Sequence, residues 1–365
     1  MTISEDNIKQ TFSLMTNKFL KEVLEQPAAL RKTLSYYLDA EGINSIRKIT
    51  ELIKSGSSEP IILTGMGSSF FIAQTAASIL NSSGIFTNAI NAGELLHYQF
   101  PSLKRGTILI AISQSGESFE IIEILKRIPE GVTVAGISNE RDSTLIKKST
   151  VRLLSFAGKE EMTSSKTYVS TGLVTYIMAK TLTGQWNEKE IREVNSLIEN
   201  IDRFLNNSHN WLQPAADMLI QAPFIQVIGR GPTIASVSQG ALMFMEGAGI
   251  AAAGIYGGEF RHGPMEMVKE GFCAIMLAPG GATFEQNLGM VKDIAGFGGK
   301  VILITNKIIR MNPINILTIS VPVTGEDLFM IPAILPLQLL MNQLALMKGR
   351  TPGFFTRGAK VTKIE

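Results

Sequence analysis

Cysteine is nearly absent: the 365 residues hold only Cys273. A lone cysteine closes no internal disulfide, so nothing in the chain asks for an oxidising compartment. Within "EGFCAIML" it reads as a small apolar strand residue. Histidine is scarce too. His97, His209 and His262 are scattered and, with one cysteine, give no metal-ligand spacing, so no metal site is expected. An excess of one charge is also missing. Thirty-four Lys and Arg against 32 Asp and Glu leave a net charge of +2 with no basic block, which argues against a nucleic-acid binder. The greasiest stretch, "IPAILPLQLLMNQLALM", is short of the ~20 apolar residues of a membrane span. Pro, Gln and Asn interrupt it, and it reads as a core helix. The start, "MTISEDNIKQ", carries acids and no apolar signal region, so a cytoplasmic protein that meets no membrane is expected.

Hydrophobic residues make up 45% of the chain, enough for a sizeable core, and the length suits two to three domains. Residues 1–56 have the three- and four-residue apolar spacing of helices and read as a helical N-terminal arm. A unit then occurs twice. "PIILTGMGSS" is an apolar strand closing on a glycine turn before the helical "FFIAQTAASIL"; "PFIQVIGRGPT" does the same before "IASVSQGALMFME". Further apolar runs, "GTILIAIS" and "VTVAGIS" in one half, "FCAIMLAP" and "KVILITN" in the other, alternate with helical segments. Near-continuous apolar strands separated by helices predict mainly parallel sheets covered on both faces. The expected fold is therefore α/β, two similar three-layer αβα halves at 57–185 and 223–348. A helical connector, 186–222, joins them, and a tail, 349–365, follows.

Two loops of the first half are rich in hydroxyls: "GMGSS" (Gly65–Ser69) and "SQSGES" (Ser113–Ser118). In open parallel sheets such loops meet beyond the carboxyl ends of the strands, where helix N-termini collect. Hydroxyls with free backbone N–H groups there make a neutral cage for a phosphate. Helix capping is the ordinary alternative for a single serine. It does not account for Ser68, Ser69, Ser113, Ser115 and Ser118 together. "GMGSSF" lacks the third glycine of the dinucleotide fingerprint and no P-loop is present, so a phosphate ester on a small molecule is a better match than a nucleotide. No cofactor is implied.

"GMGSS", "SQSGES" and "SSKTY" resemble the phosphosugar-binding loops of the SIS (sugar isomerase) domain family. With "GEFRHGP" and a terminal lysine, the chain resembles the tandem-SIS isomerase part of glutamine–fructose-6-phosphate aminotransferases. The resemblance implies that Ser69, Ser113, Gln114, Ser115 and Ser118 hold the phosphate of a hexose 6-phosphate. It places Gly67, Ser68, Ser164 and Ala359 at the sugar. It gives Glu246 the proton-transfer role, His262 ring opening in a neighbouring subunit's site, and Lys360 an imine with the ketose. A homodimer or dimer of dimers with shared sites follows from the His262 role. The chemistry is consistent with this set: a carboxylate moves a proton between C1 and C2, an imidazole shuttles protons near neutral pH, and an amine forms an imine. His97 and His209 belong to no constellation and read as surface or packing residues.

Departures from the family pattern bear on the reaction. The second residue is Thr2, where the aminotransferases begin with a cysteine-bearing glutaminase domain, so glutamine-dependent synthesis is not expected. Met243 and Gln239 stand where the family has a lysine and an acid, and the two neutral residues suggest a larger, less charged pocket. "LAPGGATF" replaces a second serine loop, so one site per chain is expected. Three activities remain open. The first converts glucosamine 6-phosphate to or from fructose 6-phosphate and ammonia; the second is a deglycase releasing an amino acid from a fructosamine- or glucosamine-type 6-phosphate. The third is a non-catalytic sugar-phosphate sensor.

Overall fold

The structure, a computed structural model, describes residues 17–55, 60–207, 209–309, 311, 314–357 and 359–362. The first 16 residues of the expected arm, Thr2 among them, and the last three of the tail lie outside the described residues.

Three helices lead in: α1 (Lys18–Leu24), α2 (Gln26–Leu38) and α3 (Ala40–Ser55). Asn17 starts the first, its side chain accepting from the Leu20 N–H. Strands and helices then alternate as β1 (Ile61–Gly65), α4 (Ser68–Ser82), β2 (Thr87–Asn91), α5 (Ala92–His97), β3 (Ile108–Ile112), α6 (Phe119–Arg127), β4 (Thr133–Ser138), α7 (Thr144–Lys148) and β5 (Val151–Leu154). Helices α8 (Lys166–Leu182), α9 (Glu188–Asn206) and α10 (Leu212–Leu219) lead to the second half. That half runs β6 (Ile225–Gly229), α11 (Ile234–Met243), β7 (Ala252–Tyr256), α12 (Gly257–Arg261), β8 (Cys273–Leu277), α13 (Phe284–Gly296), β9 (Lys300–Thr305), β10 (Ile316–Ser320) and α14 (Met330–Met347).

Both sheets are five-stranded and parallel, with orders β2-β1-β3-β4-β5 and β7-β6-β8-β9-β10. The second order repeats the first element for element. In each, the strand order reverses beside the first strand of the half, the place where such sheets hold ligands. Strands β1, β3, β6 and β8 are buried throughout, as expected of apolar runs covered on both faces.

One apolar core runs through both halves, including Leu63, Ile110, Tyr168, Val227, Phe244 and Leu337. The greasy stretch of the sequence is α14, whose Ile334, Leu335, Leu337 and Leu340 are fully buried in that core. It is the single helix among the described residues long and apolar enough to cross a membrane, and 94% of its apolar window is covered by the rest of the chain. Cys273 is likewise buried. The halves also touch directly. Thr75 of α4 donates to the Pro232 carbonyl (2.8 Å) and accepts from the Ala235 N–H (3.1 Å). The start of α11 is thereby fixed against the helix that opens the first serine loop.

Candidate active site

Beyond β1 and β3 the two serine loops face each other. Gly67 adopts φ 49° and Gly116 φ 64°, both in the left-handed region that glycine enters without cost. At Gly116 a Cβ would also lie 2.2 Å from Ser143 Oγ, so only glycine closes this turn. Helices α4 and α6 begin in these loops, directing two N-terminal dipoles at the space between, although the Ser69 and Phe70 N–H groups turn back to the Met66 carbonyl and the Phe119 N–H meets the Thr362 carbonyl.

The hydroxyls are not consumed by capping. Gly67 and Ser118 occupy the N-cap positions of α4 and α6, and neither helix receives a side-chain cap bond. Ser118 Oγ instead lies 3.1 Å from Ser113 Oγ, which accepts from the Gly116 N–H at 3.1 Å. Ser115 Oγ accepts from the Glu117 N–H at 3.2 Å. The Ser68 and Ser69 hydroxyls have no protein partner among the described residues.

A cavity of about 200 Å³ opens here. Its lining brings together Gly67, Ser68, Ser69, Gln114, Ser115, Ser118, Ser164, Glu246, Ala359 and Lys360 from the sequence-predicted set. Two predicted residues are elsewhere. Ser113 is buried behind the loop, holding its shape through Ser118 and Gly116. His262 is exposed at the end of α12 and does not line this cavity.

Glu246 reaches the cavity from an irregular element. After Met243 the regular helix widens into a π-helical turn, Phe244–Ala248, closed by Gly249 in the left-handed conformation at φ 63°. Such turns shift the side-chain register by one residue and are common at functional sites. Thr163 Oγ1 donates to Glu246 Oε2 at 2.6 Å. Burial pushes the Glu246 carboxyl above its ordinary pKa; the Thr163 bond and the Lys360 charge oppose that shift without cancelling it.

Lys360 arrives on a tail that is docked, not frayed. The Thr163 N–H bonds the Gly353 carbonyl (3.0 Å) and the Phe119 N–H bonds the Thr362 carbonyl (3.1 Å), tying the tail to the first half on both sides of Lys360. Lys360 Nζ donates to Glu160 Oε2 at 2.5 Å and to the Met162 carbonyl at 2.7 Å. The Glu160 side chain is fully buried. It also accepts from the N–H and hydroxyl of Ser165 (2.9 and 3.1 Å) and of Thr167 (3.0 and 2.5 Å). Burial alone would push its carboxyl up, but the Lys360 charge and the Lys360 and Thr167 bonds outweigh burial and hold it below the ordinary value.

Sequence reasoning missed Glu160, Thr163 and Glu120. Glu120 lines the cavity with a buried Oε2 that has no partner among the described residues, an acceptor suited to a ligand hydroxyl. The expectation drawn from Met243 and Gln239 needs correcting. Met243 is fully buried in the apolar core, and Gln239, also buried, directs its Nε2 at the Ser164 carbonyl 3.4 Å away. Neither lines the cavity, so their neutrality does not make it larger or less charged. His209 packs between Phe204 and Trp211, with ring centroids 4.6 and 4.9 Å away.

The second half holds no serine loop at the matching place. After β8 the Gly280 N–H is taken by Asn306 Oδ1 (2.8 Å) and the Ala282 N–H by Glu326 Oε2 (3.1 Å). Two side chains of the chain itself, an amide and a carboxylate, thus occupy these loop amides.

The SIS domain family model matches residues 56–181 and 218–348. The chain belongs to the SIS family. A glutamine–fructose-6-phosphate aminotransferase of Pyrococcus horikoshii is 29% identical over 352 residues, covering 95% of this chain and 57% of that protein. This SIS chain thus spans little more than half the length of the curated relatives it matches. Among solved structures, the C-terminal domain of glucosamine-fructose-6-phosphate aminotransferase from Francisella tularensis superposes with a TM-score of 0.77 at 22% identity, covering 96% of this chain and 99% of that one. A glucosamine-6-phosphate deaminase from Thermotoga maritima gives 0.72 at 20% identity, covering 94% and 99%. At these identities the likeness shows the fold.

Proposed function

We propose that this SIS protein is an aldose–ketose isomerase of an amino-sugar 6-phosphate, with glucosamine 6-phosphate as the simplest substrate. The observation that carries the reading is the single cavity in which two free serine hydroxyls and two helix N-termini sit opposite a carboxylate with a raised pKa and a lysine. Ser69, Ser115, Ser118 and Gln114 hold the phosphate, with Ser113 shaping the loop. Gly67, Ser68, Ser164 and Ala359 face the sugar.

In the open-chain aldose, Glu246 removes the C2 proton while the C1 oxygen is protonated, giving an enolamine. Returning the proton to C1 leaves an iminium at C2. Water adds there, and fructose 6-phosphate and ammonia depart. No oxidant or reductant is needed. A carboxyl with a raised pKa is suited to both taking and returning the proton. Lys360 can replace the departing amine at C2 as an imine. His262, exposed and outside its own chain's cavity, suits ring opening in the site of a second copy, which makes the active form at least a dimer.

The relatives named for aminotransferase and deaminase activities support the same chemistry. A sensor would have no use for a buried Thr163 hydroxyl directed at Glu246. The test is release of ammonia and fructose 6-phosphate from glucosamine 6-phosphate, with Glu246→Gln as control. Turnover in wild type that disappears in the variant supports the reading; sugar-phosphate binding with equal, negligible turnover in both sinks it.

A further inference from the structure

A second cavity of about 580 Å³ adjoins the first. The two share Glu246, Phe355, Ala359 and Thr362, so the second continues from the first on the side of the proposed proton-transfer carboxylate, away from the serine loops. It is the larger of the two, and ammonia would leave it empty. Its remaining lining includes Met245, Gly249, Arg350 and Arg357.

The arginines give it a charge. Neither Arg350 nor Arg357 forms an ion pair or a side-chain hydrogen bond among the described residues; Arg47, Arg105, Arg152 and Arg230 share that, but only Arg350 and Arg357 line this cavity. Arg350 and Arg357 are both exposed at the cavity's edge, and the Arg350 guanidinium lies against the π turn. A Cβ on Gly249 would lie 2.6 Å from its Nη1, so the bare glycine that ends the π turn makes room for the guanidinium. The turn that presents Glu246 to one cavity thereby seats a cation in the next.

We infer that the nitrogen of the substrate carries a carboxylate-bearing substituent, as in an amino-acid conjugate of the sugar phosphate, and that Arg350 and Arg357 receive the carboxylate. This rests on the phosphosugar reading above and names its leaving group. Guanidinium groups match carboxylates in a planar, two-bond geometry. The order of groups along the joined cavities is serine cage, carboxylate, two guanidiniums. That order complements phosphate, substituted ammonium and carboxylate along such a conjugate. Water adding at C2 would release the amino acid in place of ammonia, with the same atoms balanced.

The test measures binding to the full-length protein by calorimetry, using glucosamine 6-phosphate and its N-carboxymethyl and N-ethyl derivatives. The last two differ in charge but little in size. Wild type is expected to bind the N-carboxymethyl compound at least about tenfold more tightly than the N-ethyl one, the scale of a charge-assisted bond to arginine. The double variant Arg350→Gln/Arg357→Gln should bring the ratio to near unity. Being a ratio on one protein sample, it is insensitive to partial misfolding. Equal binding of the two derivatives by wild type overturns the inference and leaves the phosphosugar reading standing. A preference that persists in the double variant overturns the assignment to these arginines. No binding of any of the three overturns both readings.

Discussion

Glu160→Gln is the substitution whose consequence the structure specifies most fully. The variant keeps the shape of the side chain and an oxygen to accept from Ser165 and Thr167, but its amide nitrogen is a donor facing the Lys360 ammonium at the former 2.5 Å contact. Lys360, 19% exposed at its side chain, is left with the Met162 carbonyl alone. Breaking one side of a buried, hydrogen-bonded pair costs about 3–5 kcal/mol, most of it the stranded charge. The pH dependence identifies the cause. The folded-state carboxyl lies below its ordinary 4.5. Its stabilisation is therefore complete above that value and is lost as the pH falls through the depressed one. The stability gap between wild type and variant, read from urea unfolding at a series of pH values, should be largest at neutral pH and close in acid. A loss below about 1 kcal/mol, typical of an exposed pair, would refute the reasoning, as would a gap that does not change with pH.

Thr163→Val removes the hydroxyl bonded to the Glu246 carboxylate at 2.6 Å; turnover should fall about tenfold near neutral pH, with its acid limb displaced upward and Thr163→Ser restoring both, as a pH–rate profile would read. Because burial raises the Glu246 pKa, its ionised form opposes folding above the ordinary 4.5. Glu246→Gln should thus abolish turnover while raising the unfolding midpoint at neutral pH, a gain absent in acid. Gly116→Ala, forced to φ 64° with a Cβ on Ser143, should cost about 1–3 kcal/mol by denaturant unfolding and weaken sugar-phosphate binding. Ser69→Ala, at a hydroxyl without a partner among the described residues, should leave stability within about 0.5 kcal/mol but weaken binding of the sugar phosphate in calorimetry.

What could be read in advance follows from the range of the interactions. The repeat of apolar strand, glycine turn and helix depends on neighbours in the chain, and it predicted two similar halves with mainly parallel sheets. The serine loops follow from it, because residues just after β1 and β3 must meet at the switch point. Glu160 could not be read the same way. In "GKEEM" it looks like one of several solvated charges, and only the folding back of a tail 200 residues later makes it the buried partner of Lys360. The π turn was equally hidden, since "ALMFMEGAG" reads as ordinary helix. Counting neutral residues misled at Met243, which faces the core. The charges that border the site are Arg350 and Arg357, brought there by the same tail.

Proton transfer between C2 and C1 by Glu246 is read by exchange with solvent deuterium. Glucosamine 6-phosphate and its N-carboxymethyl derivative would be incubated with the protein in deuterium oxide and followed by proton NMR. Wild type is expected to lose the C2 proton signal and Glu246→Gln to retain it. A sugar phosphate that binds wild type in calorimetry yet keeps its C2 proton would contradict proton transfer by Glu246.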